Sequence, residues 1–474
     1  MAFLNKKYLL SGLTVLVAAL ITIVIGASYF LNTARPRLEQ AASSRFGITV
    51  SIHSLSFSIL PPAISAKEVE IGKNDGKIAR IAKVKIHFDF PSLVRRQVSI
   101  PQVDLEGSEF FVTRSANGAW NIEALEGQRA GAGENRSFLL PDINIRNSSL
   151  ILTAGEKSLD MQDIDLSVRK LAVAGDERSL ASRISVTGDF HCRELRSAKR
   201  IIRDLTFQLQ GREGRFSLDP LTFQALDGTA RGKVEMDLRG KDPAVGMHLE
   251  LQRFRAGKLF TLLSEDELLQ GEADLIADLT AKGGNRQALQ RSLSGMFVIT
   301  GRDLVIPSLD LDKLLEEYVQ SQRFNLVDLG AFAILGPLGT ALTTGYDFSG
   351  VLLASRGGST DVGQLVSRWE IDKGVVIARD VALATPKNRI AVSGSIDLVD
   401  ERFRDLEVAV VEANGCAVVS QKIDGPFDKP RVEKPSFIAT AAGPILNLLK
   451  GTARIITGGK CKIFYNGSVS APGK

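Results

Sequence analysis

The chain has 474 residues, 44% of them hydrophobic, with 59 Lys or Arg against 54 Asp or Glu for a net charge of +5. The two signs are interspersed along the sequence instead of gathered into a basic run, which excludes an extended nucleic-acid surface built from clustered cations and stacking aromatics. Three cysteines, Cys192, Cys416 and Cys461, are too few for a disulfide scaffold, and none stands in a Cys-x-x-Cys pair.

Residues 9–31 hold no charged side chain. As a single helix at ~1.5 Å per residue this run crosses a ~30 Å hydrocarbon layer. It continues through Tyr29, Phe30 and Leu31, beyond the apolar core of a cleaved signal, so a retained transmembrane helix is expected after a short tail at 1–8. Lys6 and Lys7 before the span and Arg35, Arg37 and Arg45 after it balance one another. The expected side for the body is the translocated one, because large downstream domains cross largely regardless of flanking charge. About 440 residues remain, more than one ordinary core holds, so two or more packed units or one elongated unit follow.

After the span, Arg35-Pro36 reads as the start of a separate short helix closed by Gly47. The period then becomes two. Leu55, Phe57 and Ile59 alternate with serines; Val84, Ile86 and Phe88 with Lys85, His87 and Asp89; Leu205, Phe207 and Leu209 with polar residues; Val234, Met236 and Leu238 with Lys233, Glu235 and Asp237. Many strands begin after a glycine, but their spacing is irregular and gives no fixed-length repeat. Residues 127–136, with three glycines among mixed charges, read as a linker that places a boundary near 130. Short helices are expected near 256–270, where Ser264 and Glu267 form a capping pattern, near 309–325, and as an amphipathic segment near 436–450. The apolar stretch 331–342 is too short and too interrupted by Gly and Pro to cross a bilayer.

The fold class is therefore mainly β: a transmembrane helix followed by an elongated, curled β-sheet groove with a few short helices. A sheet with one apolar face must cover it, and so few helices leave a second sheet, the sheet's own curvature, or an apolar ligand. A chain too long for one sandwich and without clear linkers between copies of one, tethered to a membrane, favours a trough for lipid over a closed sandwich. Keeping a sixteen-carbon chain out of water is worth on the order of 13 kcal/mol at ~0.8 kcal/mol per methylene. The candidate lining is the apolar set of those four strands: Leu55, Phe57, Ile59, Val84, Ile86, Phe88, Leu205, Phe207, Leu209, Val234, Met236 and Leu238.

No catalytic, cofactor or metal site is expected. The four histidines, His53, His87, His191 and His248, lack metal-ligand spacing, and Asp189, His191, Cys192 and Glu194 alternate between strand faces. Residues 72–77 differ from a phosphate loop in spacing and carry Ile78 in place of the magnesium-binding hydroxyl, so they read as a hairpin turn. No Gly-x-Ser-x-Gly turn occurs.

The order of the span, Arg35-Pro36, Arg45-Phe46-Gly47, Leu60-Pro61-Pro62-Ala63-Ile64, Pro101-Gln102-Val103-Asp104-Leu105 and Asn117-Gly118-Ala119-Trp120-Asn121 resembles the bacterial AsmA-like family. Val392-Ser393-Gly394-Ser395-Ile396-Asp397-Leu398, Gly425-Pro426-Phe427-Asp428-Lys429-Pro430 and the late cysteines Cys416 and Cys461 are similar as well. The resemblance implies a single-pass inner-membrane anchor with a cytoplasmic tail and a periplasmic body. That body would comprise a region at 32–130 related to chorein-type lipid-transfer proteins, a central groove at 131–385 and a C-terminal region at 386–474. It implies phospholipid as partner, other envelope proteins as further partners, a part in outer-membrane biogenesis and no catalytic motif. A periplasmic body permits a disulfide between Cys416 and Cys461, closing about 45 residues and contributing ~4 kcal/mol, with Cys192 left unpaired; the alternative is two buried thiols. The competing function is a non-catalytic structural assembly factor for outer-membrane proteins.

Overall fold

The structure is a computed structural model. It describes residues 6–73, 76–89, 99–115, 118–122, 138–173, 184–198, 200–261, 269–307, 309–321, 357–437 and 463–472, with 91–92 and 326 between them, and of residues 6–20, 45–46, 138–139, 173, 260–261, 317–321 and 437 the backbone alone. The chain divides into two compact units, Met1–Leu221 and Thr222–Lys474. The expected linker at 127–136, the capping pattern at 264–267, the stretch 331–342, most of the amphipathic segment (438–450) and Cys461 lie outside the described residues.

The first unit opens with one α-helix, α1 (Lys6–Phe46). Among the described residues no helix is long and apolar enough to cross a membrane. The break expected at Arg35-Pro36 does not occur, and Pro36 lies inside α1. The helix survives the hydrogen bond that proline removes because one side of it is tied to β1 (Thr49–Ile59). Ser43 Oγ accepts from the Val50 amide (3.2 Å), Glu39 Oε1 from Ile52 (2.7 Å) and Ser28 Oγ from Phe57 (3.0 Å), while Arg35 Nη1 donates to the His53 carbonyl (2.5 Å). The Asn32 amide accepts from the Leu55 N–H (2.9 Å) and donates to its carbonyl (2.5 Å), as a neighbouring strand would. From Ser28 to Ser43 the helix rises ~23 Å, and from Val50 to Phe57 the strand extends by the same ~23 Å, so the two stay in step. The helix thereby covers a sheet edge that would otherwise present unpaired backbone groups. Asn32→Ala is expected to destabilise this contact by about 1–3 kcal/mol by leaving both Leu55 groups without partners. Faster hydrogen exchange at the Leu55 amide is the check.

Eight long strands carry the unit: β1, β2 (Pro62–Lys73), β3 (Gly76–His87), β4 (Gln102–Arg114), β6 (Asp142–Ala154), β7 (Lys157–Val173), β8 (Ile184–Ser197) and β9 (Arg200–Arg212), with the short β5 (Phe138–Leu139) on β7. Neighbours are antiparallel except β4 and β6, which run parallel. β10 (Arg215–Ala225) carries the chain into the second unit.

All eight strands lack a rung along one line across the sheet, at His53, Glu68, Ala82, Gly107, Asn147, Asp163, Arg193 and Asp204, and β3, β6, β7 and β8 lack others besides. Glu68, Gly107, Asn147, Asp163 and Asp204 hold φ of 50, 63, 49, 51 and 49°. A line of such bulges bends every strand at one level and curls the sheet. It also reverses side-chain alternation, so Val50 and Ile52 before the crease face the same side as Leu55 and Phe57 after it. The packing agrees, since Val50, Ile52, Val69 and Ile81 share one cluster with Ala66, Val84 and Leu105.

The second unit is an antiparallel run of β11 (Gly228–Asp237), β12 (Ala244–Arg255), β13 (Glu272–Lys282), β14 (Ser294–Pro307), β15 (Ser359–Asp372), β16 (Val375–Ala384), β17 (Arg389–Asp397), β18 (Arg402–Val411) and β19 (Ala417–Pro426). The short β20 (Arg431–Val432) and β21 (Ser436–Phe437) lie on β19. The same device recurs: Arg253, Asp303 and Asp405 hold φ of 49, 51 and 46°. Gly394 is required opposite Asp405, because a Cβ there would meet the Asp405 carbonyl at 2.2 Å. Short helices form at α2 (Ala256–Thr261), α3 (Arg286–Ser292) and α4 (Leu311–Ser321). Asp310 Oδ1 caps α4 by accepting from the Lys313 amide (3.0 Å).

Candidate functional site

The creased sheet of the first unit makes a trough. Its floor is a line of buried residues, each within two positions of the crease on its strand: Leu55, Val69, Ile81, Ser108, Ser148, Ile164 and Cys192, none more than 7% exposed. Ser148 Oγ accepts from the Ser108 amide (3.1 Å) and donates to the Arg146 carbonyl (2.9 Å), while the buried Ser108 hydroxyl makes no hydrogen bond among the described residues.

From the floor one wall rises as rows that cross all eight strands. Cross-strand register places Leu55, Ala66, Val84, Leu105, Ile145, Leu166, Phe190 and Phe207 in the first row. The next row is Phe57, Ile64, Ile86, Val103, Ile143, Val168, Gly188 and Leu209. The facing leaf contributes Val50, Ile71, Ala79, Phe110, Leu150, Met161, Leu195 and Ile202. Phe190 and Phe207 stack with ring centroids 4.6 Å apart. Apart from Leu55, Ala79 and Gly188 these residues are only half-buried, and among the described residues no helix or second sheet packs over them. At ~4.8 Å per strand a row is ~35–40 Å long, an apolar surface far larger than scattered exposed side chains give.

The outer face is largely polar, with Ile151 and Ile201 as exposed apolar exceptions. Lys83 pairs with Glu106 (3.0 Å), Arg169 with Asp189, and Arg193 with Asp163. His87 sits 2.7 Å from Asp104, which also accepts from Asn144 (2.9 Å) and Gln102 (2.6 Å). Burial pushes the Asp104 carboxyl upward, but the hydrogen bonds from Asn144, Gln102 and His87 outweigh it and hold the group below the usual carboxylate range. His53, His191 and His248 likewise face single carboxylates or pairs of them: Glu68 at 4.0 Å, Asp165 at 3.9 Å, and Asp278 (2.5 Å) with Glu250 (3.4 Å). The Asp278 hydrogen bond leads in raising the His248 pKa. Among the described residues no three His, Cys, Asp or Glu side chains converge as a metal site.

Eight of the residues expected to line a groove, Leu55, Phe57, Ile59, Val84, Ile86, Leu205, Phe207 and Leu209, lie on this one wall, and Phe88 follows the end of β3 with its amide donating to the Pro62 carbonyl (2.9 Å). Val234, Met236 and Leu238 belong to the second unit, where Val234 and Met236 stand opposite Met247 and Val245.

The apolar face of the second unit is largely packed. Leu311, Leu314 and Leu315 of α4, together with Leu326, join Leu304, Trp369, Leu383, Ile390, Phe403 and Leu406 in one buried core. Asp312 Oδ1 anchors α4 by accepting from Thr385 (2.5 Å) and Asn388 (2.6 Å). The opposite face of β15–β19 is covered as well, by Tyr465 and Val469 over Val366, Ala382, Ala391 and Ala409. Tyr465 donates to Asp380 (2.6 Å), and burial together with that bond pushes its hydroxyl well above the ordinary range. Cys416 is disulfide-bonded, and Cys192 is free and buried in the trough floor.

The family model described as AsmA family matches the chain over residues 4–190 and again over 184–381. The chain belongs to the AsmA family. Searches of curated proteins and of solved structures give no match. In this AsmA-family chain the crease, which makes the trough, is the element that alternation alone misses. On five of the eight strands its signal is present in the sequence as an acidic or amide residue, or a glycine, placed where the apolar parity changes; His53, Ala82 and Arg193 carry none. The triplet Arg-Asp-Leu stands at 203–205, 302–304 and 404–406, with Asp204, Asp303 and Asp405 all left-handed. Asp and Asn enter that conformation more readily than other non-glycine residues.

Proposed function

We propose that this chain is a membrane-anchored envelope protein whose first unit holds the acyl chains of phospholipid in its apolar trough, shielding them from water in transit between the inner and outer membranes and so supporting outer-membrane biogenesis. The observation that carries this reading is the pair of uninterrupted apolar rows, half-exposed across eight strands, on walls whose backs are lined with ion pairs. A trough of that chemistry accepts hydrocarbon along its whole length and needs no catalytic group. Family membership supports the same reading, as does α1. It turns Ser28, Arg35, Glu39 and Ser43 toward the sheet and leaves Ile21, Ile23, Ile25, Tyr29 and Phe30 53–78% exposed, the reverse of a helix that rests on a water-soluble core. The second unit, with both faces of β15–β19 covered, fits a scaffolding role.

A photoreactive amino acid placed in cells at Phe207 or at its exposed neighbour Gln208 tests the reading. Phospholipid adducts are expected from position 207 and not from 208. Equal adducts from both, or protein adducts alone, would count against it.

A further inference from the structure

The ties between α1 and β1 fix the height of the sheet against the helix. Ser28 is level with Phe57, and continuing from Phe57 to Leu60 covers ~10 Å, the rise of about seven helical residues. The turn between β1 and β2 therefore lies level with residues 21–25 of α1, within the uncharged run 9–31. Leu60, at the tip, is 85% exposed and is followed by Pro61-Pro62. No residue from Ser54 to Ala66 carries a charge. The first charges above this zone fall at one height: Arg35 bonds the His53 carbonyl, and Ser54 pairs with Lys67, which pairs with Lys83. One strand further in, Lys85 and His87 extend below that height, so the uncharged zone is confined to the edge formed by α1, β1 and β2.

From this we infer that the β1–β2 turn is a membrane-insertion element: Leu60 and the uncharged ends of β1 and β2 enter the lipid leaflet beside α1, while Arg35, Lys67 and Lys83 sit at its phosphate layer. The occupant is a bilayer and not a protein groove, because helix and turn expose apolar side chains at the same depth below the first charged residues, Arg35, Lys67 and Lys83, of which Arg35 and Lys83 also pair with Glu39 and Glu106. Insertion would open the trough wall at Phe57 and Ile64 directly to acyl chains, without passage through water. The inference rests on reading α1 as the anchor.

The test uses the full chain in vesicles of phosphatidylethanolamine and phosphatidylglycerol, with a fluorescent amino acid at position 25, 60 or 73. Phospholipid brominated on its acyl chains quenches a probe in hydrocarbon, and iodide quenches one in water. Positions 25 and 60 are expected to be quenched alike by brominated lipid, and position 73, at the far end of β2, several-fold more than position 60 by iodide. If position 25 is quenched by brominated lipid while position 60 behaves like position 73, the turn stays in water and the inference falls with the anchor intact. If iodide quenches positions 25 and 60 as well as it quenches position 73, both fail.

Discussion

Phe190→Asp is expected to strip bound phospholipid from the full chain purified from membranes, lowering the amount per protein at least tenfold. Phe190 is the seventh of the eight residues of the first apolar row and stacks on Phe207, the eighth. A carboxylate there would either be dehydrated beneath an acyl chain, a penalty of several kcal/mol for an unpaired ion, or hold water in the trough and break its apolar continuity. The half-buried position tolerates the change in fold, which unaltered far-UV circular dichroism would establish. Gln210→Asp puts the same charge on the exposed outer face of β9, opposite Thr187, and is expected to leave lipid content unchanged. Equal loss in both variants would mean that charge acts on the protein in general and not on the trough.

The largest expected effect on stability lies in the other unit. Trp369 is 1% exposed, stacks against Phe297 at 6.5 Å between centroids and donates its indole N–H to Ser367 Oγ (2.8 Å). Trp369→Ala removes that packing and leaves a cavity, with an expected loss of about 3–5 kcal/mol. Against a typical domain stability of about 5–15 kcal/mol, this is a large fraction. Urea unfolding followed by far-UV circular dichroism is expected to shift its midpoint down by about 1–2 M, given a slope of a few kcal/mol per molar. Trp120→Ala, at a half-buried residue against Arg114, is expected to shift it far less.

Much of this architecture was legible in the sequence because period-two alternation is a direct print of one-sided strands. Phe57, Ile86 and Phe207 could be assigned to one face from their neighbours alone, and register then placed them on one wall. Three features were not legible in that way. Alternation changes parity at the crease, so the apolar residues on its far side, such as Val69, Ile81 and Phe110, drop out of any scheme that extends one phase along a strand. The continuity of α1 through Pro36 depends on contacts with β1, a partner that helix signals do not see. The packed core of the second unit depends on where α4 folds back, and Leu311, Leu314 and Leu315 declare only that their helix is amphipathic, not which sheet it covers.

The most direct test of the account is to extract the full chain from its native membranes, remove detergent-exchangeable lipid and determine the remainder by mass spectrometry. Phospholipid is expected in stoichiometric amount, retained by the wild-type chain and lost in Phe190→Asp. A wild-type chain that carries none, while its first unit stays folded, would contradict it.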